Sequence, residues 1–167
     1  MMRIIIVTAM VAAALAGCST LPDAPEAVRA PQGQKLALGV FASGVQIYEC
    51  AAVDGGARYE WKFKAPDATL LDFGGRPMGT HYAGPTWKAP DGSTVVAEVR
   101  SRAPAKDAIP LLLLAAKGGD GDGLFSQVRS IQRLDTVGGL PPDTGCSAPQ
   151  LARVARVPYT ANYYFYK

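Results

Sequence analysis

An all-β fold, a single antiparallel β-sandwich or β-barrel of about eight strands, is predicted by three features of this sequence. Period-two alternation comes first. Arg58-Tyr59-Glu60-Trp61-Lys62-Phe63 sets Tyr59, Trp61 and Phe63 against Arg58, Glu60 and Lys62. Tyr159 to Tyr166 sets Tyr159, Ala161, Tyr163 and Phe165 against Thr160, Asn162, Tyr164 and Tyr166. Second, 18 Gly and 13 Pro in 167 residues interrupt the chain too often for a long helical bundle. Third, neither of the two runs that also suit a helix, Ile109 to Ala116 and Leu124 to Leu134, has an N-cap followed by a long apolar stripe. Disorder is excluded by an apolar content of 49%.

In chain order, the first segment is an address. Arg3 is the only charge before Asp23, and Ile4 to Leu15 is an unbroken weakly polar to apolar run of 12 residues. A spanning helix needs about 20 apolar residues, so the run has the length of a signal h-region. It ends in Leu15-Ala16-Gly17-Cys18, which resembles the lipobox of bacterial lipoproteins: small residues for a peptidase groove, then a nucleophilic sulfur. The resemblance implies a signal peptide over 1–17, cleavage before Cys18 and lipidation of Cys18. Ser19, in place of the Asp that retains lipoproteins in the inner membrane, implies an outer-membrane anchor, facing the periplasm. Residues 18–35, with Pro22, Pro25 and Pro31, read as a flexible tether whose 16 residues from Ser19 to Gln34 reach at most about 50 Å.

The all-β domain is expected over 36–167. Val45 to Cys50 reads as a strand, and Asp54-Gly55-Gly56 turns it into the Arg58–Phe63 strand as a hairpin. Val95, Ala97 and Val99 alternate with polar neighbours after the turn Pro90-Asp91-Gly92. Ile109 to Ala116 and Leu124 to Leu134 each fit helix or strand. Separated by the Gly- and Asp-rich connector 118–123, they are read as a hairpin. Aromatics on both faces of the last strand call for a central strand or a covered outer face.

The chemistry of the chain is narrow. A net charge of +3 with no Lys/Arg block excludes a nucleic-acid-gripping surface. His81 is the sole histidine, which excludes a metal held by two histidines of one chain, and no metal or other cofactor is expected. Asp120-Gly121-Asp122-Gly123 lacks the remaining ligands of a calcium loop, and its glycines miss the phosphate-loop spacings. With Cys18 lipidated, Cys50 and Cys146 are left as an even pair in an oxidising compartment. A disulfide is expected, the alternative being two buried thiols.

The densest group of functional side chains is Gly79 to Lys88, which holds His81, Tyr82 and Trp87. With Asp72 and Asp91 nearby in sequence, these residues form the candidate ligand cleft. The bland alternative is that His81 bonds a backbone carbonyl and Trp87 fills core.

Several phrases together resemble the domain-of-unknown-function family 3455 of exported bacterial and fungal proteins. They include Gly44-Val45-Gln46-Ile47-Tyr48-x-Cys50, Gly79-x-His81-x-x-Gly84-Pro85-Thr86-Trp87, Ile131-Gln132-Arg133-Leu134 and Tyr159-x-Ala161-x-Tyr163-x-Phe165-Tyr166. Leu111 stands where that family commonly has Trp. The resemblance implies one secreted domain and the Cys50–Cys146 pairing, and it supplies no activity. Three functions are therefore expected to compete. One is an anchored envelope lipoprotein binding a small molecule, glycan or envelope protein. The others are a metal-free hydrolase or lyase using His81 with Asp72 or Asp91, and a purely structural envelope component.

Overall fold

The structure, a computed structural model, describes residues 21–167. The signal segment and Cys18 lie outside the described residues. Eight strands run antiparallel in sequence order and close into a barrel: β1 (Leu36–Val53), β2 (Arg58–Leu71), β3 (Pro77–Tyr82), β4 (Thr86–Lys88), β5 (Thr94–Ala105), β6 (Ala108–Gly118), β7 (Ser130–Gly138) and β8 (Val154–Tyr166). β8 closes on β1 in a register from Leu36↔Tyr166 to Glu49↔Val154. The β6–β7 hairpin is formed as expected, with β7 beginning at Ser130.

Alternation sorts the side chains. Val40, Ala42, Leu70, Ala97, Leu114, Ile131, Tyr163 and Phe165 point inward and fill the barrel. One end is sealed. Asp91 in the β4–β5 turn accepts hydrogen bonds from the Ser93 hydroxyl (2.6 Å), the Ser93 N–H (2.9 Å) and the Leu124 N–H (2.8 Å). Ser93 Oγ then accepts from the Phe125 N–H at 3.1 Å. This clamps the β6–β7 loop so that Phe125 plugs the barrel against Phe165, ring centroids 4.8 Å apart.

The opposite end carries the β1–β2, β3–β4, β5–β6 and β7–β8 connections. Here Cys50 and Cys146 are joined in a disulfide, Cα atoms 5.3 Å apart, tying β1 to the long β7–β8 loop. Gly139, at the root of that loop, has φ +78° and packs so closely that a Cβ would lie 2.8 Å from Tyr159 Cβ.

The stretch read as a tether is not free along its length. Ala24 is buried and Val28 fully so, both packed with Ala103 and Leu134 over the outer faces of Leu111, Leu113 and Tyr164. Gln132 clamps it, donating from Nε2 to the Val28 carbonyl and accepting from the Tyr166 hydroxyl through Oε1. The reason is the apolar outer wall, which needs a cover. This strap is that cover, and it explains the aromatics on both faces of β8. Leu111 also faces this outer wall, so the position where the family commonly has Trp belongs to the strap rather than to the barrel lumen.

Candidate functional site

The barrel wall has a gap. β3 and β4 together form a short hairpin, and above it β2 and β5 continue unpaired on their facing edges. β2 pairs with β3 only from Ala68 onward, and β5 pairs with β4 only through Val96. The exposed edges carry Lys62, Lys64, Pro66, Arg100 and Pro104, residues that discourage addition of another strand. Through this gap a cavity of about 410 Å³ enters the barrel.

Two β-bulges shape the mouth. On β2, Ile47↔Ala65 is followed by Tyr48↔Phe63, so Lys64 is the extra residue and the inward parity shifts from Pro66 to Phe63. On β5, Val99↔Leu114 is followed by Ser101↔Leu113, so Arg100 is extra and Arg102, rather than Ser101, shares the cavity side. Bulges re-aim side chains, and these two bring Phe63 and Arg102 to the rim. Phe63 is 54% exposed there, packed edge-on against Tyr48 at 5.8 Å between centroids. The regular alternation expected from Arg58 to Phe63 thus ends in a bulge at Lys64, which leaves Phe63 at the exposed rim.

The floor and walls are aromatic. His81 and Trp87 are directly opposed across β3–β4, and their rings stack at 4.2 Å with an 11° interplanar angle. Tyr163 meets both edge-on, at 5.1 Å from His81 and 5.4 Å from Trp87. The hairpin tip that fixes this pair is held by Gly84 at φ +101° and by Thr86 Oγ1 donating to the Ala83 carbonyl at 3.0 Å. Leu112, Leu114 and Ile109 form the apolar far wall.

Polar groups in this interior are incompletely matched. Tyr48 donates its hydroxyl to the Gly139 carbonyl at 2.6 Å. Gln46 Nε2 and Trp87 Nε1 are buried without a hydrogen-bond partner, whereas the buried Tyr159 and Tyr163 hydroxyls lie within reach of each other, and Tyr163 within reach of Arg133. Unmatched buried donors of this kind are costly. Arg133 is also turned inward, opposite Tyr163, with Nε and Nη2 donating to the Pro110 carbonyl at 3.2 and 2.8 Å. Burial raises the Tyr48 and Tyr163 pKa values, and the Arg133 charge opposes it in both.

His81 is 3% exposed. The Thr86 carbonyl, 2.9 Å from Nδ1, requires the proton on that nitrogen and leaves Nε2 as an acceptor. Burial pulls its pKa down to about 3; the Thr86 bond partly opposes this, and the Arg133 charge adds to it. The imidazole is therefore neutral at neutral pH.

His81 and Trp87 line the cavity, whereas the other candidate cleft residues are elsewhere. Tyr82, 38% exposed, points away from the lumen by strand alternation. Asp72 belongs to the β2–β3 turn at the sealed end, where it accepts from the Gly74 and Arg76 N–H groups at 2.9 Å and from Arg76 Nε at 2.6 Å. The bonds from Arg76 hold its carboxyl below the ordinary value. Asp91, held low chiefly by the Ser93 hydroxyl, clamps the plug loop. The expected pairing of His81 with Asp72 or Asp91 is thus corrected: both carboxylates are built into turns at the far end of the barrel. Sequence reading missed Gln46, Tyr48, Arg102 and Arg133. Arg133 did carry a signal, a charge flanked by Ile131 and Leu134 in a strand whose inward parity includes Ile131.

A family model described as Protein of unknown function (DUF3455) matches residues 31–167, and the chain belongs to that family. Neither the curated proteins nor the solved structures contain a match.

Proposed function

We propose that this member of the family is a small-molecule-binding barrel held at the bacterial outer membrane by a lipidated Cys18. The observation that carries the binding reading is the open lumen of about 410 Å³, walled by His81, Trp87 and Tyr163, with Gln46, Tyr48 and Arg133 as the polar side chains on its lining. Pockets of this size and lining, mostly apolar with a few convergent polar groups, are the usual form of a ligand site. The hydrolase or lyase alternative loses its carboxylate partners.

The anchoring part rests on the short apolar run ending in Leu15-Ala16-Gly17-Cys18. With Ala24 already docked on the barrel, only five residues of leash separate it from Cys18, about 20 Å at full extension. The barrel is held close to the bilayer rather than well clear of it.

Two experiments test this. Native mass spectrometry of the protein purified from envelopes is expected to show a small-molecule adduct that Leu112→Trp, which fills the lumen, loses. Equal spectra from the two proteins refute the binding reading. Metabolic labelling with a fatty-acid probe is expected to tag the wild type and not Cys18→Ser, and equal labelling refutes the anchor.

A further inference from the structure

We infer that the barrel lumen selects an organic anion: a compound with one acidic group, carboxylate, sulfonate or phosphate ester, on a flat aromatic or apolar body. This rests on the ligand-binding reading above and specifies its chemistry.

The charges around the cavity are all of one sign. Lys64, Arg102 and Arg133 line it, and no Asp or Glu does. Lys64 has a carboxylate neighbour, Glu49, at 3.4 Å. Among the described residues neither Arg102 nor Arg133 has an ion-pair partner. An inward-facing arginine without a counter-ion is unfavourable in a protein interior, and the usual resolution is a carboxylate nearby. Here none is supplied by the lumen.

Arg133 is also pre-positioned. Its Nε and Nη2 bonds to the Pro110 carbonyl fix the plane of the guanidinium, with the Tyr163 hydroxyl within its reach. A rigid fork of this kind suits a planar or tetrahedral oxyanion. Its field is felt across the lumen: the same charge disfavours protonation of His81 and favours ionisation of the Tyr48 and Tyr163 hydroxyls. Around the charge the surfaces are apolar or aromatic, so an inorganic ion would leave the His81–Trp87 stack and the Leu112–Leu114 wall without a partner. An acid with an apolar body satisfies both. Arg102, re-aimed to the rim by the β5 bulge, lies where an incoming anion first meets the protein.

The test uses two fluorescent probes that share their rings and differ in charge, with the mature protein. 8-Anilinonaphthalene-1-sulfonate carries a sulfonate, and N-phenyl-1-naphthylamine is its neutral counterpart. The sulfonate is expected to bind with one-to-one stoichiometry, be displaced by the neutral probe, and bind about tenfold more tightly, the effect of one charge-assisted contact. Arg133→Gln is expected to remove that preference, lowering the sulfonate's affinity about tenfold more than the neutral probe's. Arg102→Gln, at an exposed rim position where folding is not at stake, is expected to slow the sulfonate's association and flatten its salt dependence. Equal affinities for the two probes, or a preference that survives Arg133→Gln, overturn the anion inference and leave the cavity reading intact. Failure of both probes to bind overturns the cavity reading with it.

Discussion

Lowering the pH is the sharpest probe of the interior, because this chain has one histidine and it is buried. In the unfolded chain His81 takes up a proton near its ordinary value of 6.5, whereas in the barrel burial holds the value down to about 3. Between these limits the unfolded state binds more protons than the folded one, so stability falls as pH falls. The slope approaches 1.36 kcal/mol per pH unit for one group, which gives a loss of about 2 kcal/mol between about pH 7.5 and about pH 5. The carboxylates held low, Asp72, Asp91 and Glu60, lose their contribution mainly below their ordinary values of 3.8 and 4.5, so they add only a small tail at the acid end of this window. Urea unfolding followed by circular dichroism at a series of pH values reads the effect directly. His81→Asn, whose amide can keep the bond to the Thr86 carbonyl, is expected to be less stable throughout but nearly flat across the same window. A flat wild-type profile, or parallel profiles for the two proteins, refutes the buried neutral imidazole.

Replacing both Cys50 and Cys146 by Ala opens a loop of 96 residues and is expected to cost roughly 2–5 kcal/mol in the same unfolding assay; unchanged stability refutes a bonded pair. Val28→Ala removes buried methyl groups from the strap and is expected to cost about 1–3 kcal/mol. It should also speed tryptic cleavage after Arg29, and an unchanged rate means the strap is not held by this packing. Gly139→Val places a Cβ against Tyr159 at positive φ and is expected to destabilise by roughly 2 kcal/mol or more; thermal melting checks it.

Local pattern was enough for the fold class. The alternation of Tyr159 to Tyr166 and of Thr94 to Val99 follows from the two-residue period of a strand, and the structure keeps it: Tyr159, Ala161, Tyr163 and Phe165 all face the lumen. The even cysteine pair likewise required only counting. Sandwich or barrel was not decided locally, because closure depends on whether β8 meets β1, a pairing of residues more than a hundred positions apart. His81 and Trp87 were legible as a concentration of unusual side chains, but their stacking came from the β3–β4 register.

Asp72, Asp91 and Tyr82 misled because nearness in sequence is not nearness across a sheet. A strand carries its two ends to opposite poles of the barrel, and one residue's step turns a side chain from lumen to solvent. Arg102 shows the same point from the other side. Counting alternate residues from Val95, Ala97 and Val99 turns Arg102 away from the lumen, and only the extra residue at Arg100 brings it back to the mouth. The sequence by itself determined the strands with clear alternation, such as β8, since that depends on each residue's own shape and polarity, but it did not mark β3 and β4 within the segment read as a cleft. The site was decided by bulges, by closure and by the short β3–β4 hairpin, since these set which distant residues share one interior and no local preference encodes that.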